Sequence, residues 1–220
     1  MEVIDRYQSI RREVSGIYKE KGSRFLAIGA PVSTTEEALE FVEKVRKAHP
    51  KARHHCYAYR IGADKNNYRS NDDGEPSGTG GKPILGQIDA FALSDVVIVV
   101  SRYFGGKLLG ASGLANAYRQ SAEDALKQAS IHTIQRKVHY RTHFSYEVMG
   151  TLMDALNRYG ADIEKQAFDS DKPHLFFSLP ISHPTKVLDD IIAHALGLYP
   201  EEIRGERKFE QIQIKVESKD

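Results

Sequence analysis

The chain has 220 residues, with 31 basic and 30 acidic side chains, one cysteine and no tryptophan. This length is enough for one large or two small domains, and the net charge of +1 excludes a highly basic nucleic-acid-coating protein but not a local basic patch. The single cysteine excludes an internal disulfide and a cysteine-rich zinc site. Because residues 1–12 are charged and no apolar run approaches about 20 residues, we expect a cytoplasmic protein without a secretory signal or a membrane span.

The first part of the chain predicts a hairpin, a helix and a third strand. These elements are expected at Glu13–Lys19, Arg24–Pro31, Thr34–His49 and His54–Ile61. The helix is well defined, because a threonine can cap it, acidic residues fill its first turn and basic residues precede its end.

Residues 62–82 are rich in glycine, proline and polar side chains and predict a long loop, which in compact domains is usually functional or mobile. A short helix is expected at Pro83–Leu93. The β-branched run at Asp95–Ser101 is typical of a strand covered on both faces. A glycine cluster at 105–113 follows, and then a helix at Leu114–Ala129.

The pattern changes near residue 130 and predicts two domains, 1–130 and 131–220. Strands and helices in the second domain follow the order β-α-β-β-α-β, at Ile131–Tyr146, Glu147–Tyr159, Ala161–Phe168, His174–Ile181, Pro184–Leu196 and Lys208–Val216. That order is typical of a ferredoxin-like split βαβ domain, so the predicted fold class is α+β. The first domain has a small excess of basic side chains and the second a small excess of acidic ones.

The loop at 70–83 is the densest polar feature. Its Gly-Gly-Lys lacks the glycine spacing and the following serine or threonine of a P-loop, and its acidic residues lack the later glutamate of a calcium loop. The two remaining interpretations are a mobile, solvated loop and a loop that recognises a partner. In the second case the recognition residues would be Asp72, Asp73, Glu75, Ser77 and Thr79.

Two further segments predict anion or nucleic-acid contacts. Arg102 and Lys107 flank glycines that precede Ser112, the expected first residue of a helix. Backbone N–H groups at that position would suit a phosphate. The alternative is that the glycines only turn the chain. In the strand predicted at His54–Ile61, alternation places a set of aromatic and basic side chains on the same face. Such a face would stack bases and contact phosphates. The set is Arg53, His55, Tyr57 and Tyr59, and the cations Arg60 and Lys82 are assigned to the same binding function.

Neither a metal nor a cofactor is expected. His54 and Cys56 share a strand face, but no third ligand is evident, and Cys56 is expected to be a packing residue. The histidines of the second domain, at 174, 183 and 194, are scattered, so a binding or docking module is expected there. A single binding site would require 53–60, 70–83 and 102–107 to converge on one surface.

Four segments in order closely resemble the IMPACT/YigZ family: 21–27 (KGSRFLA), 54–60 (HHCYAYR), 72–83 (DDGEPSGTGGKP) and 99–110 (VVSRYFGGKLLG). The resemblance implies a first domain of the ribosomal-protein βαβ type, also found in an elongation factor, and a ferredoxin-like accessory domain. It also implies a role in translation, because the eukaryotic relatives compete for the scaffold that activates a starvation-responsive initiation-factor kinase.

The leading hypothesis is a non-enzymatic regulator, expected to respond to stress, that binds RNA, the ribosome or a translation-related protein. The alternative is a small-molecule phosphotransferase that uses the glycine-rich loops. Small-molecule kinases of the implied fold have a similar glycine-serine loop at the start of a helix. That alternative rests on fold analogy, which is a weak basis for function. A third hypothesis is a protein-interaction module.

Overall fold

The computed structural model of the protein describes residues 4–168, 173–182, 184–203 and 208–217. The chain divides into two compact units, of which the first is Arg6–Ile134 and the second begins at Gln135 and includes Ile4 and Asp5. The division falls slightly beyond the predicted boundary at 130, because a strand that starts at Ile131 pairs with a strand near the beginning of the chain.

The first unit contains every element predicted before residue 130. Its strands are β1 (Arg6–Ile10), β2 (Val14–Glu20), β3 (Ser23–Pro31), β4 (His54–Ile61), β5 (Asn67–Asn71), β6 (Val96–Tyr103) and β7 (Ile131–Gln135). Its helices are α1 (Thr35–Ala48), α2 (Gly81–Ala90) and α3 (Gly110–Lys127).

The main sheet of this unit has the strand order β2-β3-β6-β4-β5, and all neighbours are antiparallel. Strands β3 and β4 are therefore parallel to each other on either side of β6, and α1 connects them as the helix of a βαβ unit. The apolar run of β6 lies at the centre, where Val96–Val100 are fully buried. This confirms the prediction of a strand covered on both faces.

Helices cover both faces of this sheet. Helix α1 packs on one face, against Val97 and Val99, whereas α2 and α3 pack on the other, against Ile98 and Val100. Thr34 caps α1 as predicted, because its side chain accepts a hydrogen bond from the Glu37 N–H.

Two strands of the first unit carry no clear sequence signal. Strand β1 pairs with β7 in a separate two-stranded sheet. Strand β5 lies within 62–82, so the prediction of a structureless loop there is wrong. Since β5 is a polar edge strand with exposed or half-exposed side chains, it lacks the apolar alternation that would reveal a strand.

The second unit has the ferredoxin-like fold predicted from the element order. Its elements are β8 (Lys137–Phe144), α4 (Met149–Arg158), β9 (Asp162–Phe168), β10 (Pro173–Pro180), α5 (Pro184–Leu196), α6 (Pro200–Ile203) and β11 (Ile212–Glu217). Its antiparallel sheet has the order β11-β8-β10-β9. The strand predicted at Ile131–Tyr146 is two strands, β7 and β8, which belong to different sheets. Within the described ranges, no helix is both long and apolar enough to cross a membrane.

Gly16 allows β2 to approach α3 closely, and we expect Gly16→Ala to destabilise the first unit. A Cβ atom there would lie 2.2 Å from the Ala125 backbone nitrogen, so β2 or α3 would have to shift. Overpacking of this kind costs about 1–3 kcal/mol, which urea denaturation would measure.

The matched control is Gly86→Ala in α2, where an added Cβ meets no atom within 4 Å. Alanine is favoured over glycine inside a helix by about 0.5–1 kcal/mol, so this variant should be as stable as the natural protein or more so. Equal stability of the two variants would contradict the proposed close contact.

Candidate functional site

The glycine-rich loop between β5 and α2 folds onto the ends of β4 and β6. His54 of β4 lies directly opposite Arg102 of β6 in the antiparallel register, and Glu75 of the loop reaches both side chains. The beginning of segment 53–60 therefore meets residues of 70–83 and 102–107 at one end of the sheet, whereas Arg60 lies at the opposite end of β4.

The centre of this region is a group of four polar side chains, His54, Glu75, Arg102 and Tyr118, called here the Glu75 cluster. The Oε1 atom of Glu75 accepts hydrogen bonds from Arg102 Nη1 at 2.6 Å and from the Tyr118 hydroxyl at 2.9 Å. The His54 Nε2 atom lies 3.9 Å from the same oxygen. The side chains of Glu75 and Arg102 are only 3% and 7% exposed.

Arg102 is therefore an internal cation, and the prediction that it lies on an anion-binding surface is wrong. Its guanidinium carbon lies 5.5 Å from the ring centre of Phe25 and 5.6 Å from that of Phe104, and Glu75 neutralises its charge. Removing one partner of a buried ion pair leaves the other charge uncompensated, which typically costs about 3–5 kcal/mol. The pair fixes the loop to the sheet.

Asp72 organises the second half of the loop. Its carboxylate accepts hydrogen bonds from the backbone N–H groups of Gly78, Gly80 and Gly81 at 2.8, 2.9 and 2.8 Å. Burial raises the pKa of Asp72, but these three hydrogen bonds act against it, and the net result is a pKa below the usual value. Since α2 begins at Gly81, Asp72 supplies the N-terminal cap that the glycine at position 80 cannot.

Asp73 fastens the first half of the loop to two other elements. Its carboxylate accepts a hydrogen bond from the His55 N–H at 2.7 Å and two from the Arg46 guanidinium at 3.1 and 3.3 Å. Asp73 and Gly74 both have positive φ, at 45° and 85°, which forms the sharp turn.

The residues predicted to recognise a partner therefore mostly hold the loop itself. Asp72, Asp73 and Glu75 bond within the unit, and the Thr79 hydroxyl donates to the Pro76 carbonyl at 2.7 Å; Ser77 is exposed. The three carboxylates point to different partners. Among the described residues, no group of three histidine, cysteine or acidic side chains is arranged to hold a metal ion.

Cys56 is buried beneath this loop, as expected of a packing residue. Its Sγ atom donates to the Asp72 carbonyl at 3.0 Å, and burial raises the pKa of the thiol. His54 forms a 2.7 Å hydrogen bond with the Asp73 carbonyl through Nδ1. Both side chains are thus used to anchor the loop.

The predicted base-stacking face of β4 is covered by α1. His55, Tyr57 and Tyr59 are only 4%, 6% and 4% exposed, and the two tyrosines pack with the apolar side chains of α1. This face is therefore core, and of the four predicted residues only Arg53, which precedes the strand, is exposed. Alternation indicates that four side chains share a face but not whether a helix covers that face.

Arg60, at the other end of β4, also has internal partners. It donates to the two carboxylate oxygens of Asp89 at 2.7 and 2.9 Å, and its guanidinium carbon lies 4.8 Å from the Tyr68 ring centre. Lys82, Lys107 and Ser112 are exposed, and among the described residues none of their side chains has a hydrogen bond or ion pair.

A groove of about 580 Å³ lies beside the β2–β3 turn; we call it the cationic groove. It is lined by Lys19, Glu20, Lys21, Gly22, Ser23, Arg24, Tyr103 and Phe104. Arg24 stacks on Tyr103 at 4.4 Å from its ring centre, and Arg53 approaches the Phe104 ring centre at 5.8 Å. Phe104 is 42% exposed despite its aromatic ring.

Most lining residues of the cationic groove were missed as site residues by sequence reasoning, although they lie in the 21–27 and 99–110 segments. The groove forms because the turn at Gly22 packs directly on Gly105, where an added Cβ atom would lie 1.9 Å from the Gly22 carbonyl carbon. Nothing in the local sequence indicates that these two glycines touch.

The fold and site define a two-unit α+β protein whose first unit carries a glycine-rich loop closed by a buried ion pair. The Impact N-terminal domain family matches residues 21–126. The chain is 36% identical over 180 residues to the IMPACT family member YvyE of Bacillus subtilis (strain 168), a match that covers 77% of this chain and 82% of that protein. The chain therefore belongs to the IMPACT family.

Two further matches agree with this assignment. The chain is 44% identical over 126 residues to the IMPACT family member YigZ of Escherichia coli (strain K12), which covers 56% of this chain and 60% of that protein. A crystal structure described as that of a hypothetical protein matches 99% of this chain and 100% of its own, with 29% identity and a TM-score of 0.65. The likeness to this solved structure thus extends over both units.

The contribution of the Glu75–Arg102 pair is testable by a double-mutant cycle. We expect Glu75→Gln and Arg102→Met each to destabilise the first unit, because each leaves a buried group without its charged partner. The double variant should be less destabilised than the sum of the two, with a coupling of about 1–3 kcal/mol in urea denaturation. Additive effects would show that the pair is not coupled.

Protonation of His55 should lower stability in acid. Burial lowers the pKa of His55, and the nearby Arg46 charge acts in the same direction. The unfolded chain therefore binds the proton more tightly, so the contribution of neutral His55 is present above about pH 6.5 and is lost as the pH falls towards the folded-state pKa.

We expect the unfolding free energy of the natural protein to fall between pH 7 and 5 more steeply than that of His55→Asn. The asparagine can replace the hydrogen bond between Nδ1 and Ser101 Oγ but does not titrate. The difference in slope should not exceed about 1.4 kcal/mol per pH unit. Parallel curves would contradict the assignment.

Proposed function

We propose that this protein is a cytoplasmic regulator associated with translation, and that it binds RNA, free or in the ribosome, through the cationic groove of its first unit. The role in translation is supported by membership of the IMPACT family. The sequence resemblance implies that eukaryotic members of this family take part in translational control. RNA as the ligand is supported by the chemistry of the groove itself.

The observation that carries the RNA proposal is the combination of one exposed ring, Phe104, and one half-buried ring, Tyr103, with exposed cations. Phe104 presents a partly exposed ring with Arg53 beside it, and Tyr103 lies under Arg24. Single-stranded nucleic acids are bound by this combination, because bases stack on aromatic rings while cations contact the backbone.

The charges of the groove also favour a polyanion. Lys19, Lys21 and Arg24 line it, Arg53 adjoins it, and Glu20 is the acidic lining residue. Glu20 accepts a hydrogen bond from the Tyr18 hydroxyl at 3.0 Å, so part of its capacity to accept is already used. The groove thus has more basic than acidic side chains, although the whole chain is almost neutral.

The phosphotransferase alternative gains no support from the site. Asp72, Asp73 and Glu75, the carboxylates that it would use for magnesium, are hydrogen-bonded to the loop, to α1 and to Arg102. Recruiting them to a metal ion would break the contacts that hold the loop.

The proposal is tested by binding of a fluorescein-labelled single-stranded RNA, followed by fluorescence anisotropy over a range of salt concentrations. Arg24→Ala with Arg53→Ala should weaken binding about tenfold or more and reduce the dependence of log K on log salt, by about 0.7 for each phosphate that the variant no longer neutralises. Phe104→Ala should weaken binding by about fivefold or more with little change in this salt dependence, because stacking releases no counterions.

The matched control is Lys47→Ala, which removes an exposed cation on α1 outside the groove and should leave binding unchanged. Equal loss of affinity in the control and the groove variants would indicate non-specific attraction and contradict the proposed site. Unchanged binding in all groove variants would do the same.

A further inference from the structure

The second unit has a sheet with two chemically different faces. One face packs against α4 and α5 and is apolar: Tyr140, Phe144, Leu175 and Phe177 are part of its core. Strand alternation directs the intervening side chains of β8 and β10 to the opposite face. The described elements of this unit place no helix on that opposite face.

That face carries imidazole and aromatic rings on its two central strands. The register pairs His143 with His174 and Arg141 with Phe176. The two imidazole ring centres lie 5.3 Å apart, the Phe176 ring centre lies 5.7 Å from that of His174, and the Arg141 guanidinium carbon lies 5.5 Å from the Phe176 ring centre. These four side chains thus form a continuous row across β8 and β10.

The flanking strands add cations to both sides of this row. Lys215 of β11 lies opposite Arg141, and Lys165 of β9 lies opposite Phe176; both lysines are exposed. We call these six residues, Arg141, His143, Lys165, His174, Phe176 and Lys215, the second-unit sheet face. His174 is buried at 7% exposure, whereas Arg141, His143 and Phe176 are partly exposed.

The acidic side chains near this face lie beside Lys137 and His139. Asp162 pairs with Lys137, and Glu164 lies 2.6 Å from His139 Nδ1. Glu217 lies opposite His139 at the far end of β11. The centre of the face therefore combines stacked rings with Arg141, Lys165 and Lys215, a combination that is complementary to bases and phosphates.

We propose that the second-unit sheet face binds single-stranded RNA, with bases stacked on Phe176 and His143 and phosphates contacted by Arg141, Lys165 and Lys215. A four-stranded antiparallel sheet with rings on its two central strands is a geometry that suits base stacking. The choice of RNA as ligand rests on the proposed function of the first unit, but the surface and its residues are separate from the cationic groove. The protein would then have two RNA-contacting surfaces, one on each unit.

The experiment uses the full chain and a single-stranded RNA of about 12 nucleotides that contains 4-thiouridine, with photocrosslinked peptides identified by mass spectrometry. Crosslinks are expected in β8 or β10 as well as in the cationic groove. Phe176→Leu keeps an apolar side chain but removes the ring, and it should weaken RNA binding about fivefold. Lys165→Ala with Lys215→Ala should weaken binding and lower the salt dependence.

The matched control is Lys186→Ala, an exposed lysine on α5, the helical side of the same unit; it should bind as the natural protein does. Crosslinks confined to the first unit, with normal binding by Phe176→Leu and the double lysine variant, would overturn this proposal and leave the cationic groove intact. Crosslinks confined to β8 and β10, with no effect of Arg24→Ala and Arg53→Ala, would support it and overturn the groove. Failure of the natural protein to bind any single-stranded RNA would overturn both.

Discussion

The arrangement of the first unit depends on the ion pair between Glu75 and Arg102. Arg102 lies in the last part of the most apolar strand, where the sheet buries it almost completely, and a buried cation requires a charged partner. The glycine-rich loop supplies that partner in Glu75, and Tyr118 of α3 completes the carboxylate's hydrogen bonds. The pair, together with Tyr118, thus connects the central strand, the loop and α3.

Because the loop is fixed in this way, its polar residues have a structural role, and contact with a ligand falls to neighbouring residues. Asp72, Asp73 and Glu75 use their hydrogen-bonding capacity on the loop, so the most conspicuous polar segment of the chain is a structural support. The surface that remains available to a ligand is formed by the residues next to it, in the β2–β3 turn and at the end of β6. Phe104 is 42% exposed there, with the Arg102 guanidinium carbon 5.6 Å from its ring centre.

The second unit presents comparable chemistry on an unrelated architecture. Its apolar side chains face two helices, and the alternate positions of the same strands collect rings and cations on the other side. A chain that is nearly neutral overall can thus carry two local cationic surfaces, because its acidic and basic side chains are unevenly distributed. Net charge describes the sum of these groups and not their distribution.

The amino-acid sequence alone was enough to predict the elements with strong local signals and the order of the ferredoxin-like strands. These were predictable because apolar alternation, the Thr34 cap and the β-branched run of β6 act over a few neighbouring residues. The polar edge strand β5 and strand β1 gave no such signal. Long-range packing settles which faces are covered: α1 buries Tyr57 and Tyr59, and Glu75 neutralises the buried charge of Arg102. It also brought His143 beside His174, since strand pairing joins residues that are distant in the chain, and no local pattern encodes that register.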